Sequence, residues 1–159
     1  MAIWQYIAYL IPENSLSPDG TLTGLAATAD SFEHPSLAFN IAPTELEQLV
    51  SAFLPPRKSW HKNLHTWGDE ERDDLNIWYA EDRIQSIRAR LDLRDITRER
   101  IGKLVTLARQ AGCCFLDGRT FEIVRAEEEM LLESIRRSRS AKFVADPSGF
   151  LQSQSREPA

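Results

Sequence analysis

Between residues 72 and 94, apolar and more polar side chains alternate in two successive runs. Leu75, Ile77 and Tyr79 mark the first run; Ile87, Ala89, Leu91 and Leu93 mark the second. A period of two in neighbouring runs predicts two half-buried strands joined as a hairpin. A three-residue loop at Glu81, Asp82 and Arg83 sets Ile77 against Ile87 and Leu75 against Ala89. The same register sets Asn76 against Arg88, Asp74 against Arg90 and Arg72 against Asp92. Apolar then meets apolar on one face and acid meets base on the other. A two-residue loop throughout mixes the faces, with Leu75 against Arg88 and Asn76 against Ile87.

The flanking patterns extend this to a fold. Residues 2–11 predict a strand apolar on both sides, with Trp4, Tyr6, Ala8 and Leu10 on one face and Ile3, Ile7, Tyr9 and Ile11 on the other. Such a strand belongs inside a sheet covered on both faces. The weakly patterned stretch 13–42 is expected to supply cover for the second face. Thr44 and Glu47 fit a capping box after Pro43, with Leu46, Leu49, Val50 and Phe53 as the inner stripe and Pro55 and Pro56 as the stop. Residues 57–71 read as a loop. A second helix capped by Asp95 carries Ile101, Leu104, Val105 and Ala108 inward and ends at Gly112.

Residues 113–124 predict a small hairpin turning at Asp117 and Gly118. A third helix over about 126–138 turns Met130, Leu131, Ser134 and Ile135 inward. The order β-α-β-β-α-β predicts an α+β, ferredoxin-like antiparallel sheet with helices on one face, plus an extra C-terminal helix and tail. Strands one and three are then central, and the strand 72–80 lies on an edge. Residues 1–151 form one domain in this reading, and 152–159 are a frayed tail.

Composition narrows the class without naming a function. At 159 residues, 42% hydrophobic and 27% charged, the chain matches an ordinary globular protein with a sizeable core. No apolar run approaches the ~20 residues that span a bilayer. Residues 1–12 lack the basic start and the cleavage site of a signal peptide, so a cytoplasmic location is expected. The adjacent Cys113 and Cys114 cannot form a loop-closing framework, and one buried and one exposed thiol on a strand is the expectation. Residues 1–82 hold 13 acids and 4 bases, whereas residues 83–159 hold 11 acids and 15 bases. Their nets of −9 and +4 give the total of −5 and suggest either a charged contact surface or internal pairing.

The reactive side chains suggest three readings. His61, His65 and Asp69, four residues apart, could complete an open zinc or iron site if they shared a helix, making a metal-dependent enzyme. Pro55, Pro56 and Gly68 work against that helix, and solvated loop histidines are the simpler account. Trp78, Arg88 and Arg90 on an open sheet face could bind RNA, but the stacking aromatics of RNA-binding sheets are missing and the chain is acidic, so nucleic acid is not the expected partner. The basic cluster Arg136, Arg137, Arg139 and Lys142 is accounted for by the dipole of the helix it ends.

The first expectation is therefore a non-catalytic protein-binding module. Its surface is predicted at Trp67, Asp69, Glu70, Glu71, Asp73, Asp74 and Trp78, where acids rim aromatic anchors. Size, acidity and exposed tryptophans are compatible with small bacterial immunity-type proteins that neutralise a toxin, and a basic protein is the expected partner. No catalytic set, resident metal or cofactor is expected, and a homodimer burying Trp78 is a further arrangement.

Overall fold

The computed structural model describes residues 2–20, 26–28, 31–33 and 37–156. In chain order it contains β1 (Gln5–Pro12), a ribbon of β2 (Ala26–Thr28) and β3 (Ser31–Glu33), α1 (Pro43–Phe53), β4 (Pro56–Arg57) and β5 (Leu64–Gly68). There follow β6 (Asp74–Ala80), β7 (Arg83–Asp92), α2 (Arg98–Gln110), β8 (Cys113–Asp117), β9 (Ile123–Val124), α3 (Glu128–Arg136), α4 (Arg139–Ala145) and α5 (Pro147–Arg156). The architecture is α+β, and seven of the strands form one antiparallel sheet in the order β4-β5-β6-β7-β1-β8-β9. No helix among the described residues is long and apolar enough to cross a membrane.

The central hairpin keeps the predicted register but turns differently. Asp74 pairs with Arg90, Leu75 with Ala89, Asn76 with Arg88 and Ile77 with Ile87. The bend has two residues, Glu81 and Asp82, both at positive φ (51° and 62°), as the tightest hairpin turns require. A bulge between Trp78 and Tyr79 shifts the register there, pairing Tyr79 with Ile84 and Ala80 with Arg83. One extra residue on β7 reconciles a two-residue turn with the facing pattern. The Arg72–Asp92 pair does not form part of the ladder, which begins at Asp74.

The strand 72–80 is interior, because β5 pairs along its outer side and β4 beyond that. The expected loop 57–71 thus contains a strand whose own alternation, Leu64 and Thr66 against His65 and Trp67, matches its partner β6. Gly68 ends β5 at φ +79°, and a Cβ there would lie 2.2 Å from the Asp73 carbonyl oxygen. Only glycine accepts both the left-handed backbone and that approach.

One face of the sheet carries Tyr6, Ala8 and Leu10 of β1, Leu75 and Ile77 of β6, Ile87, Ala89 and Leu91 of β7, and Phe115 of β8. Against them pack Leu46 and Val50 of α1, Ile101, Leu104, Val105 and Ala108 of α2, and Leu131 and Ile135 of α3. Burying a side chain of this size contributes about 1.5–3 kcal/mol. The buried polar chain Tyr6–Ser134–Asp117 ties α3 to this face, with Tyr6 and Ser134 hydroxyls 2.9 Å apart. Burial and then the nearby Asp117 carboxylate push the Tyr6 phenol above its ordinary pKa.

Helix ends depart from expectation. Pro43 is the first residue of α1, Ala42 takes the cap position, and Glu47 forms no capping box. Thr97, not Asp95, caps α2 by accepting from the Arg100 N–H at 3.2 Å. Asp95 instead takes the Arg100 guanidinium at 3.1 Å. Met130 is exposed while Leu131, Ser134 and Ile135 are buried. The expected third helix stops at Arg136, and Ser138 caps the next one. The stretch expected to fray is helical through Arg156.

On the second face a smaller cluster of Ile11, Cys114 and Leu116 is covered by Leu16, Leu37, Phe121 and Ile123. Leu16 and Leu37 belong to the connection 13–42, so its described ends cover the β1–β8 part of this face. Residues 21–25, 29–30 and 34–36 lie outside the described residues. Both cysteines are free and buried, Cys113 among the main core and Cys114 in the smaller cluster. The expected exposed thiol is therefore absent, because β8 is covered on both sides.

Candidate binding groove on the open sheet face

Among the described residues the β7–β6–β5 part of the second face has no such apolar cluster over it and forms a groove of about 750 Å³. Its floor follows from strand alternation. Leu64 and Thr66 of β5 stand in register with Trp78 and Asn76 of β6, which face Ser86 and Arg88 of β7, and Tyr9 of β1 faces Arg88 in turn. Arg57, Lys58, Ser59 and Trp60 form a side wall, and Glu70 stands at one end. The wall is held by Thr66, whose hydroxyl donates to the Arg57 carbonyl at 3.1 Å, and by the Gly68 N–H, which donates to the Pro55 carbonyl at 2.8 Å.

Four cations reach this groove, but they are not equivalent. Arg90 is bound in a fork by Asp74, with Nε to Oδ1 at 2.6 Å, and this bond leads in holding its pKa above the ordinary value. Asp74 is completely buried. Its Oδ2 lies 3.8 Å from Arg57 Nη2, so one carboxylate serves two guanidinium groups. Arg88 has only Asn76 across the ladder, with a hydrogen bond to Tyr9. Burial first, and then the neighbouring Arg90, lower the Arg88 pKa from its ordinary value. Nε of Arg57 and Nε of Arg88 are shielded from water and have no hydrogen-bond partner. An unmet buried donor costs about 1–3 kcal/mol.

Aromatic rings border these cations. Trp60 packs edge-to-face on Trp78 with centroids 5.8 Å apart, and His61 lies 5.4 Å from Trp78. Trp60 is 79% exposed, unusual for so large an apolar side chain.

The predicted acidic surface is divided by the fold. Trp67 is 3% exposed on the helix-covered face, where its indole N–H donates to Ser51 of α1 at 3.0 Å. Asp73 is buried; its carboxylate accepts from the Asp92 N–H at 2.7 Å and from Arg100 Nε at 2.6 Å, joining β6 to β7 and α2. Asp74 is consumed by Arg90 and Arg57. Trp67, Asp73 and Asp74 are thus structural residues rather than surface ones, because β5 and β6 are interior to the sheet and its cover. Asp69, Glu70 and Glu71 do lie in an exposed turn. Gln5 holds that turn by donating to the Glu70 carbonyl at 2.9 Å, and Trp4 by donating to the Glu71 carbonyl at 3.2 Å. Arg94 stacks 4.2 Å above the Trp4 ring and donates to the Glu71 carbonyl as well. Of the predicted seven residues, Trp78 and Glu70 line the groove.

The proposed metal triad does not assemble. His65 points to the helix-covered side, 2.5 Å from Glu47 of α1 and 4.9 Å from the Tyr79 ring. His61 stacks on the groove tryptophans instead. His61 lies in the turn before β5 and only His65 on the strand, so no common helix aligns the two. Among the described residues no three His, Cys, Asp or Glu side chains gather as metal ligands. Burial pushes the Cys113 thiol up to about 12 and the Cys114 thiol up to about 11, so both are protonated near neutral pH. What the groove offers chemically is recognition: guanidinium forks, an ammonium and exposed rings in one concavity.

Tyr9, Arg57, Lys58 and Trp60 escaped prediction. The run Arg57, Lys58, Ser59, Trp60 carried a signal, since two cations next to an indole are rare in so acidic a half of the chain. Tyr9 carried none, because only the pairing of β1 with β7 brings it to Arg88. No family model matches the chain, and neither a curated protein nor a solved structure matches it.

Proposed function

We propose that this chain is a non-catalytic protein-binding module, of the kind that immunity proteins exemplify, and that it works through the groove on the open sheet face rather than through an acidic patch. The observation carrying this reading is Arg88. It is a half-buried cation that has no carboxylate partner among the described residues, while its neighbour Arg90 has one. Keeping such a group desolvated costs stability unless a partner uses it. Exposed Trp60 beside Trp78 supports the same reading, since tryptophan and arginine dominate the energetics of protein interfaces. Glu70, whose turn is tethered by Gln5, stands in the lining beside them.

A finer reading of the architecture belongs with this proposal. The strands β8-β1-β7-β6 succeed one another as in a ferredoxin-like sheet, with α1 between β1 and β6 in the chain and α2 between β7 and β8. β5 and β4 then extend that unit and build the groove's wall. The support is this neighbour order and its antiparallel pairing.

The test is stoichiometric capture of a partner from the producing cell, with Arg88→Gln and Trp60→Ala compared with the parent chain. Both variants are expected to unfold no earlier than the parent and to lose the partner. Undiminished capture by both would remove the groove from the function.

A further inference from the structure

Resting on the binding-module reading, we infer that the groove receives a short acidic segment of a partner protein, its carboxylates on Arg57 and Arg88 and an apolar side chain on the Trp60–Trp78 shelf. Charge complementarity selects this occupant. Among the described residues the groove's four cations, Arg57, Lys58, Arg88 and Arg90, face the two carboxylates of Asp74 and Glu70, which leaves a surplus of two positive charges. Guanidinium groups match carboxylates through a two-pronged fork, and those of Arg57 and Arg88 each retain an Nε with no partner. A carboxylate that draws either group outward supplies the missing bond.

The surplus is also confined. Exposed Glu70 lines the groove, and the chain as a whole carries −5. A nucleic acid presents a charge at every phosphate along its length and needs a basic track to follow. Here the basic lining is four side chains with Glu70 among them, so a segment with one or two carboxylates beside an apolar residue fits better than a long polyanion. The shelf serves the apolar neighbour: Trp60 is held edge-on by Trp78 at 5.8 Å with most of its surface in water. Covering it with a side chain removes that surface from solvent without ordering any new part of the protein, so little conformational entropy is lost.

The experiment measures anisotropy of three fluorescein-labelled probes against the full chain at two salt concentrations. They are a decapeptide alternating Glu with Leu, the same decapeptide with Lys for Glu, and a mixed-sequence ten-nucleotide RNA. The Glu–Leu peptide is expected to bind at least tenfold more tightly than the other two and to weaken as salt rises. Arg88→Gln and Arg57→Gln should each weaken it about tenfold, and Trp60→Ala about fivefold, in the range of lost interface anchors. Because Trp60 is so exposed, its variant remains informative should either arginine variant fold poorly. Equal binding of the Glu and Lys peptides, or tighter binding of the RNA, overturns the inference. If cellular capture depends on the groove but the Glu peptide shows no preference, only the acidic-segment inference falls. If capture ignores the groove variants, the binding-module reading falls with it.

Discussion

The two faces of the sheet are built from the same strands with the same alternation, yet they have opposite energetics. On the helix-covered face β6 and β7 contribute Leu75, Ile77, Ile87 and Ala89, all nearly inaccessible and all apolar. On the open face the intervening residues are Asp74, Asn76, Arg88 and Arg90, of which Asp74 and Asn76 are also buried. Burial stabilises the first set outright. In the second set, stability depends on each charge finding a partner, and Arg88 has no carboxylate partner among the described residues. The lesson is that burial alone does not mark a residue as structural. Asp74 and Arg88 share one face, and the first holds the fold together while the second draws on that stability.

The largest expected effect comes from breaking the satisfied charge pair. Asp74→Ala leaves Arg90 and Arg57 without their shared carboxylate and should destabilise by about 3–5 kcal/mol in denaturant unfolding, as removal of one partner of a buried pair does. Leu75→Ala on the opposite face should cost about 2–5 kcal/mol by opening a cavity. A loss below about 1 kcal/mol for Asp74→Ala, alongside a full cavity cost for Leu75→Ala, would show that the open face does not bear on stability.

The thiols sharpen the contrast next, since Cys113 faces the main core and Cys114 the smaller cluster. Their folded values, about 12 and about 11, stand above the ordinary value of 9.0. The raised folded values mean a stabilising contribution that is complete below pH 9 and declines as pH climbs toward 11 and 12. Each unit over which only the unfolded thiol ionises removes about 1.4 kcal/mol. Unfolding midpoints measured from pH 8 to 10.5 should therefore fall, and Cys113→Ala with Cys114→Ala should flatten that decline. A flat profile in the parent chain would contradict the burial of both thiols.

Gly68→Ala comes third. Positive φ and the close Asp73 carbonyl should make it cost more than about 1 kcal/mol and loosen the turn 69–71. Hydrogen exchange of the Asp69 and Arg72 amides, both bonded within that turn, reads the loosening directly. The smallest effect belongs to the groove itself. Trp60→Ala should move stability by no more than about 0.5 kcal/mol, and Arg88→Gln should leave it unchanged or raise it by up to about 1 kcal/mol, since it removes an unmet buried donor together with the bond to Tyr9. A large loss for Arg88→Gln would reassign Arg88 to the scaffold and end its role as an unmet cation.

Local patterning made the central hairpin and the inner stripes of the first two helices legible. Register followed from side-chain period alone, because a slip of one residue exchanges every apolar and polar position. The bend was misjudged because a bulge at Trp78 and Tyr79 trades one residue between turn and strand without changing the facing pairs. β5 was missed because Leu64, His65, Thr66 and Trp67 have alternate partners of mixed character: Trp67 is covered by α1, whereas Leu64 and Thr66 floor a groove. Trp67 and the acids Asp73 and Asp74 looked like surface for the same reason, as sequence gives a charge no sign of what lies across from it.

Sequence by itself determined which strands are half-buried, how β6 and β7 register, and that one face of them carries ions. Those facts are local, set by the two-residue period of extended backbone and by the chemistry of neighbours in the chain. Tertiary structure decided which ions are spent. Asp74 meets Arg57 as well as Arg90, and Arg88 meets Tyr9 as well as Asn76, only because β4 and β1 join the β6–β7 hairpin in one sheet from distant parts of the chain. Electrostatic partnership is a matter of distance through space and of shielding from water, and neither is written in sequence order.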